Sequence, residues 1–240
     1  MSTTLRTIAI VALTAALMAG LPSLCIAAAA GGFGPENPFF APSALPFQAP
    51  PFDRIKDSDY QPAIEAGMAE QRREIEAIAQ NPAPPTFDNT LLQLEKSGLL
   101  LDRAQAAFNA VSEANTNPTL QAAKSVLAPK LAAHHDAIYL DAKLFGRVAA
   151  IYRRRKSQNL DAESIRLVEV TYDEFVRSGA NLSAADKLAL KGLNEEASVL
   201  STAFTTKLLA ATQHAAFQTT VPAALSGLSD AQLEIGRAHV

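Results

Sequence analysis

The chain has 240 residues, of which 48% are hydrophobic and 19% are charged, and its mean hydropathy is +0.06. These values are typical of globular proteins and exclude disorder over the whole length. The formal net charge of -3 gives no general electrostatic reason to bind nucleic acid or an anionic membrane. The one basic run, residues 153–156, stands where a helix is predicted to end, and cations there complement the helix dipole. We therefore expect no nucleic-acid partner.

Residues 1–30 have the pattern of a secretory signal peptide. Arg6 supplies positive charge, residues 8–19 form an apolar core of the right length, and Pro22 interrupts the run before a series of alanines. We expect cleavage near Ala28 or Ala30. The mature protein is accordingly predicted to be periplasmic or secreted.

Two alternatives concern the same segment. A retained membrane anchor is possible by length, because residues 8–30 are nearly long enough to span a bilayer. Pro22 and the alanines nevertheless favour cleavage. After cleavage, we expect no stable association with the membrane. Lipidation at Cys25 is disfavoured, because residues 22–24 lack the leucine and the small residue of a bacterial lipoprotein signal. Cys25 is the only cysteine and would leave with the signal, so the mature chain can form no disulfide.

Residues 31–56 follow as a proline-rich extended arm. Six prolines within residues 31–52 forbid a helix and favour an extended path. The large apolar residues between them predict an arm laid over a surface rather than a free linker; they are Phe39, Phe40, Leu45, Phe47 and Phe52. The alternative, a proline-rich ligand for another protein, is disfavoured because no regular PxxP spacing with basic flanks occurs.

Residues 57–233 have helical periodicity almost throughout, which predicts an all-α fold. The first predicted helix starts near Asp57 and stops at residues 81–82, Asn-Pro. The second opens at Thr86 or Asp88 and continues until residues 115–118, Asn-Thr-Asn-Pro.

Three further helical regions are predicted. The third covers residues 119–155 and contains Pro129, which is expected to kink or divide it. Asp161 is expected to cap the fourth helix. In the fifth, Ser183 and Asp186 resemble a capping box. An extended segment, residues 215–221, and a helix capped by Ser229 are predicted to follow.

The fifth predicted helix carries the clearest apolar stripe. Its members repeat at four, three, four and four residues: Leu193, Ala197, Leu200, Phe204 and Leu208. From residue 183 to residue 212 the helix would be roughly 45 Å long, which exceeds the width of a small domain. Such a helix needs neighbours along its length, so we expect it to belong to a larger body.

A series of short segments carries a family resemblance. In chain order they are residues 37–40, 45–46, 51–52, 60–63, 67–68, 81–82, 85–90, 94–98, 138–140, 144–145, 160–169, 175–182 and 193–195. Their order and spacing resemble those of bacterial peptidyl-dipeptidases, also called dipeptidyl carboxypeptidases, of the thimet-oligopeptidase-like zinc metallopeptidases. Residues 160–169 resemble the peptidyl-dipeptidases more closely than the related oligopeptidases.

The resemblance implies a largely helical enzyme whose active site lies in a deep channel between two halves. It implies an activity that removes C-terminal dipeptides from oligopeptides with one zinc ion. It also implies that this chain is the N-terminal portion, forming channel wall and lid, and that its partner is the catalytic part of the same chain beyond Val240.

No zinc motif of this family is found in the chain. A zincin has two histidines in H-E-x-x-H, yet none of the four histidines is followed by glutamate; they are His134, His135, His214 and His239. A metal site at residues 134–136 is disfavoured, because adjacent helical side chains point about 100° apart. The acidic pair Glu195 and Glu196 is interpreted as solvent-facing charge.

We therefore assign no catalytic, cofactor-binding or metal-ligating residue to the chain. The sequence contains no G-x-S-x-G elbow and no glycine-rich phosphate loop either. The zinc ligands are expected beyond Val240, and the fragment alone is predicted to be inactive.

The alternative hypothesis is a stand-alone helical periplasmic binding or interaction module without catalysis. Such a module is expected to end after a completed, capped helix. The helix that Ser229 starts has only a few residues before the chain stops, which favours the incomplete peptidase.

Residues 234–240 are predicted to be a non-native tail. They can be encoded by GAG ATC GGA AGA GCA CAC GTC, the sequence of a widely used sequencing adapter. Gly236 also interrupts the helix formers expected after Ser229. The alternative is an ordinary C-terminal tail with a C-cap glycine.

Overall fold

The computed structural model describes residues 32–215, 219 and 221–237. The predicted signal peptide, with Cys25, lies outside these residues, and so does His239. Within them, no helix is both long enough and apolar enough to cross a membrane.

The all-α prediction is confirmed, because the described residues form helices and turns and no strand. The α-helices are α1 (Asp57–Ala79), α2 (Leu92–Glu95), α3 (Leu99–Ala114), α4 (Pro118–Tyr139), α5 (Ala142–Arg154), α6 (Ala162–Arg177), α7 (Ala184–Ala215) and α8 (Asp230–Arg237). A π-helical turn, Phe87–Leu91, leads directly into α2.

Three predicted caps are confirmed. The Asp161 carboxylate accepts a hydrogen bond from the Ser164 amide at 2.7 Å at the start of α6. Ser183 Oγ accepts from the Asp186 amide at 3.2 Å, and Ser229 Oγ accepts from the Gln232 amide at 3.4 Å. Each side chain satisfies a backbone donor that the first helical turn leaves unpaired.

The second predicted helix is divided, which corrects the sequence prediction. α2 ends at Glu95 and α3 begins at Leu99, with Gly98 between them in the left-handed region at φ +80°. A Cβ on Gly98 would lie 2.3 Å from Gln71 Nε2 on α1. The chain therefore turns at Gly98, where glycine allows both the backbone conformation and the close approach of α1.

The third predicted region is divided at a different residue from the one expected. Pro129 lies inside the continuous helix α4, and the break falls at Asp141. The Asp141 carboxylate accepts from the Leu144 amide at 2.6 Å and so starts α5. A side chain that caps a new helix ends the old one, whereas Pro129 removes a single backbone donor from a helix held by its neighbours.

Helix α1 lies at the centre of the fold and contributes to two core clusters. The first joins α1, α3 and α4; its members include Tyr60, Ile64, Met68, Leu101, Phe108, Leu120 and Leu127. The second joins α1 to α4, α5 and α6; its members include Ile75, Ile78, Ile138, Leu144, Val148 and Phe175. A third, smaller cluster consists of Leu91, Ile151 and Val168.

The proline-rich arm is anchored at its base. Phe39 is buried, and its ring centroid lies 5.5 Å from that of Tyr60. Asn37 Nδ2 donates to the Asp59 carbonyl at 3.0 Å, and Arg103 Nη2 donates to the Phe39 carbonyl at 2.9 Å. These contacts attach the start of the arm to α1 and α3.

The rest of the arm differs from the prediction. It is a series of turns with a short 3-10 helix, Pro46–Gln48, rather than an extended path. Phe40, Leu45, Phe47 and Phe52 are all at least 45% exposed, although the Phe40 ring lies against Phe33 with centroids 5.7 Å apart.

The observed bounds of α7 and α8 can be compared with the predicted ones. α7 continues through Ala215, three residues beyond the expected end. Most of the predicted extended segment, residues 216–218 and 220, lies outside the described residues. α8 begins after Ser229 as predicted and includes Gly236, so this glycine does not end the helix. The origin of residues 234–240 stays a prediction.

Candidate functional site

The three neighbouring residues His134, His135 and Asp136 contact three different partners. His134 is only 5% exposed, and its Nε2 lies 2.6 Å from Gln71 Oε1 on α1. The His135 ring is half exposed and stacks on Tyr139, with centroids 4.3 Å apart. Asp136 Oδ1 accepts from Asn194 Nδ2 on α7 at 2.7 Å. His135 Nδ1 also lies 4.0 Å from Asp136 Oδ1, whereas His134 points to Gln71 on α1.

The pairing with Gln71 defines the protonation of His134. Because an amide oxygen only accepts, Nε2 of His134 carries the proton and donates it to Gln71 Oε1. Nδ1 is then an acceptor, and it has no hydrogen-bond partner among the described residues. Burial, followed by the charges of Arg72 and His135, lowers the pKa of His134 to about 4. His134 is a neutral, buried link between α4 and α1.

The described residues do not fit a zinc ion. Within residues 32–215, 219 and 221–237, no three His, Cys, Asp or Glu side chains come close enough to hold a metal. Nε2 of His134 already donates to Gln71, and His135 turns toward Tyr139. His214 lies exposed in the last turn of α7, far along the chain from both.

A cavity of about 420 Å³ lies between α1, α2, α3, α4 and α6. Its polar lining includes Gln71, Glu95, Ser97, Asp102, Gln105, His134, Thr171 and Glu174. Burial raises the pKa of Asp102, and burial together with the Glu174 carboxylate raises the pKa of Tyr139. The Tyr139 phenol therefore stays protonated.

A buried arginine holds the segment that connects α1 to α2. Arg147 Nη1 donates to the carbonyls of Asn81 and Ala83 at 2.7 and 3.1 Å, and Nη2 donates to Asn89 Oδ1 at 2.9 Å. Its Nε donates to Thr90 Oγ1 at 3.2 Å. No carboxylate is among these partners, and burial lowers the pKa of Arg147. We interpret Arg147 as a structural clamp, and the sequence analysis did not single it out.

Helix α7 packs along α4 through both polar and apolar side chains. Besides the bond from Asn194 to Asp136, Lys187 Nζ donates to the Leu140 carbonyl at 3.1 Å. Partly buried side chains continue this face along α7; they are Leu190, Ser198, Thr202 and Leu209. The expectation that α7 has a neighbour along its length therefore holds for one side of the helix.

The apolar stripe predicted on α7 lies on the exposed side. Leu193, Leu200, Phe204 and Leu208 are between 53% and 67% exposed, and Ala197 is exposed as well. The adjacent acidic pair, Glu195 and Glu196, is also exposed. Among the described residues, the most extended apolar feature of the sequence thus has no packing partner.

The described residues form a helical protein in which the apolar stripe of α7 is exposed. We then compared the sequence with those of known proteins. No family model matches the chain. The chain is 45% identical over 199 residues to dipeptidyl carboxypeptidase of Escherichia coli strain K12, and equally so to that of Salmonella typhimurium strain LT2.

The aligned residues make up 83% of this chain but only 29% of each relative. The resemblance to bacterial dipeptidyl carboxypeptidases found in the sequence is thereby confirmed. The chain spans less than a third of the length of the curated relatives it matches.

Proposed function

We propose that the chain is part of a zinc-dependent peptidyl-dipeptidase that removes C-terminal dipeptides from oligopeptides. The observation that carries the proposal is the 45% identity over 199 residues to two dipeptidyl carboxypeptidases. The oligopeptide substrates and the zinc ion follow from the same family relation.

In this proposal, helices α1 to α7 form the outer wall and lid of the channel that leads to the active site. They admit unfolded peptides and exclude folded proteins. The contacts that His134, His135 and Asp136 make with other helical residues support a structural role for these helices. The zinc ligands and the groups that bind the terminal carboxylate of the substrate belong to the C-terminal part of the same chain. We assign no catalytic step to residues 32–237.

The proposed enzyme acts in the periplasm or outside the cell, because residues 1–30 have the pattern of a cleavable signal. N-terminal sequencing of periplasmic material is expected to start between Ala28 and Gly32. A mature protein that keeps Met1 would contradict this part of the proposal.

A chimera tests the function directly. The aligned residues of the E. coli dipeptidyl carboxypeptidase are replaced by the 199 matching residues of this chain, and release of C-terminal dipeptides from oligopeptides is measured. The intact E. coli enzyme is the positive control, and a deletion of the aligned residues is the negative control. We expect the chimera, but not the deletion, to be active. A folded but inactive chimera would contradict the proposal.

Two further measurements concern the chain itself. Purified residues 31–240 are expected to bind no stoichiometric zinc and to release no dipeptide. Chelator-sensitive release of dipeptides by these residues would contradict the proposal that catalysis belongs to the C-terminal part of the longer chain. The genomic reading frame is expected to continue past Leu233 to an H-E-x-x-H motif. A native stop codon directly after Val240 would instead favour the stand-alone module.

A further inference from the structure

Helix α7 presents a mixed side to α4, on which Leu190 and Leu209 are partly buried beside polar residues, and it presents a row of apolar side chains to solvent. Successive helical residues are rotated by about 100°, so Leu193 and Asn194 point to different sides. Asn194 is bonded to Asp136, whereas Leu193 is 62% exposed. The same division continues along the helix, with Ser198 and Thr202 partly buried and Leu200 exposed.

An ordinary surface helix exposes mainly polar side chains, whereas α7 also exposes a row of large apolar ones. The exposed residues form one continuous strip, which we call the α7 stripe: Leu193, Ala197, Leu200, Phe204 and Leu208. The strip is roughly 22 Å long at 1.5 Å per residue. Contiguous exposed apolar surface of this kind marks an interaction site.

The chemistry of the α7 stripe favours a folded protein surface as its occupant. Ala197 at its centre allows a neighbouring helix to approach closely, with larger apolar side chains on both sides. Glu196 and Lys207 flank it with opposite charges, so it carries no basic rim that would attract an anionic membrane.

The length of the relatives indicates which part of a protein covers the α7 stripe. The aligned region is 29% of each dipeptidyl carboxypeptidase, so most of such an enzyme lies outside it. We propose that the α7 stripe is the surface on which the C-terminal part of the same longer chain docks. This inference rests on the proposed function.

Thiol accessibility tests the docking. Leu200→Cys places a thiol in the stripe, and Glu195→Cys places a matched control thiol five residues earlier on another side of α7. Residues 32–240 contain no natural cysteine, so labelling of residues 31–240 reports only the introduced thiol. Both substitutions are also made in the chimera, where the extent of thiol labelling is measured by mass spectrometry of the peptide that contains α7.

The Leu200→Cys thiol is expected to react at least about tenfold more slowly in the chimera than in residues 31–240. The Glu195→Cys thiol is expected to react at the same rate in both. An active chimera in which the Leu200→Cys thiol reacts freely would overturn the docking inference and leave the proposed function standing. A folded, inactive chimera in which this thiol is protected would support docking and contradict the function.

A second measurement uses the natural side chains. Residues 31–240 are expected to bind a hydrophobic dye, and Leu200→Gln with Phe204→Gln is expected to remove most of that fluorescence. Unchanged dye binding would overturn the inference, because the stripe would not be the accessible surface. Slow labelling of Leu200→Cys in residues 31–240 that becomes fast on dilution would also overturn it, since a second copy would then be the occupant.

Discussion

Asn194 of α7 donates a hydrogen bond to the buried carboxylate of Asp136 on α4, with Nδ2 and Oδ1 2.7 Å apart. Asp136 is almost fully buried, and a buried carboxylate is costly unless it is hydrogen-bonded. Together with the hydrogen bond from Lys187 Nζ to the Leu140 carbonyl, the bond holds α7 on α4 with the Asn194 side facing inward. It is this choice of side that leaves the α7 stripe exposed.

Asn194→Ala is expected to lower the free energy of unfolding by about 1–3 kcal/mol, because the Asp136 carboxylate loses its partner. The measurement is urea denaturation of residues 31–240, with the exposed neighbour Glu195→Ala as the control. Equal stability of the two variants would show that the bond does not hold α7.

The stability of the protein is expected to fall as pH decreases from about 6.5 to about 4, because of His134. Its folded pKa is lowered to about 4 from 6.5, so the unfolded chain binds more protons in this window. At 1.36 kcal/mol per pKa unit the loss is at most about 3 kcal/mol, complete below pH 4.

Denaturation at several pH values checks this dependence. His134→Gln is expected to flatten it, and the exposed His135→Gln is expected to leave it unchanged. An NMR titration that places the pKa of His134 near 6.5 would contradict the prediction.

Arg147→Met is expected to destabilise the protein by about 3 kcal/mol, because the buried Thr90 hydroxyl and the carbonyls of Asn81 and Ala83 lose the donor that Arg147 supplies. Thermal and urea unfolding measure the effect, and the exposed Arg153→Met is the matched control. Arg147→Lys is expected to be nearly as destabilising, since an ammonium group cannot reproduce the forked guanidinium contacts. Full stability of the lysine variant would contradict the clamp.

Two glycine substitutions within helices are expected to have opposite effects. At Gly67 a Cβ would lie 2.7 Å from the backbone of Leu101, so Gly67→Ala forces α1 and α3 apart and costs about 2 kcal/mol. At Gly192 a Cβ would have no neighbour within 4 Å, so Gly192→Ala stabilises α7 by about 0.5–1 kcal/mol through helix propensity. The free energies of unfolding of both variants, measured in urea, are expected to shift in opposite directions. Shifts of the same sign would contradict this account.

The sequence by itself determined the features that depend on neighbouring residues. The caps at Asp161, Ser183 and Ser229 are local hydrogen bonds across three residues, so their residue types indicate them directly. Apolar periodicity likewise determined the all-α class. The order of many short motifs indicated the relation to dipeptidyl carboxypeptidases.

Only the tertiary structure decided the features that depend on residues far apart in the chain. The turn at Gly98 depends on the approach of Gln71 from α1, and the burial of Arg147 depends on carbonyls more than sixty residues away. Periodicity showed that α7 has an apolar side but not that this side faces solvent, because that depends on Asp136 binding Asn194 across 58 residues. A helical pattern records which side chains share a face, whereas the energy of long-range contacts decides which face is buried.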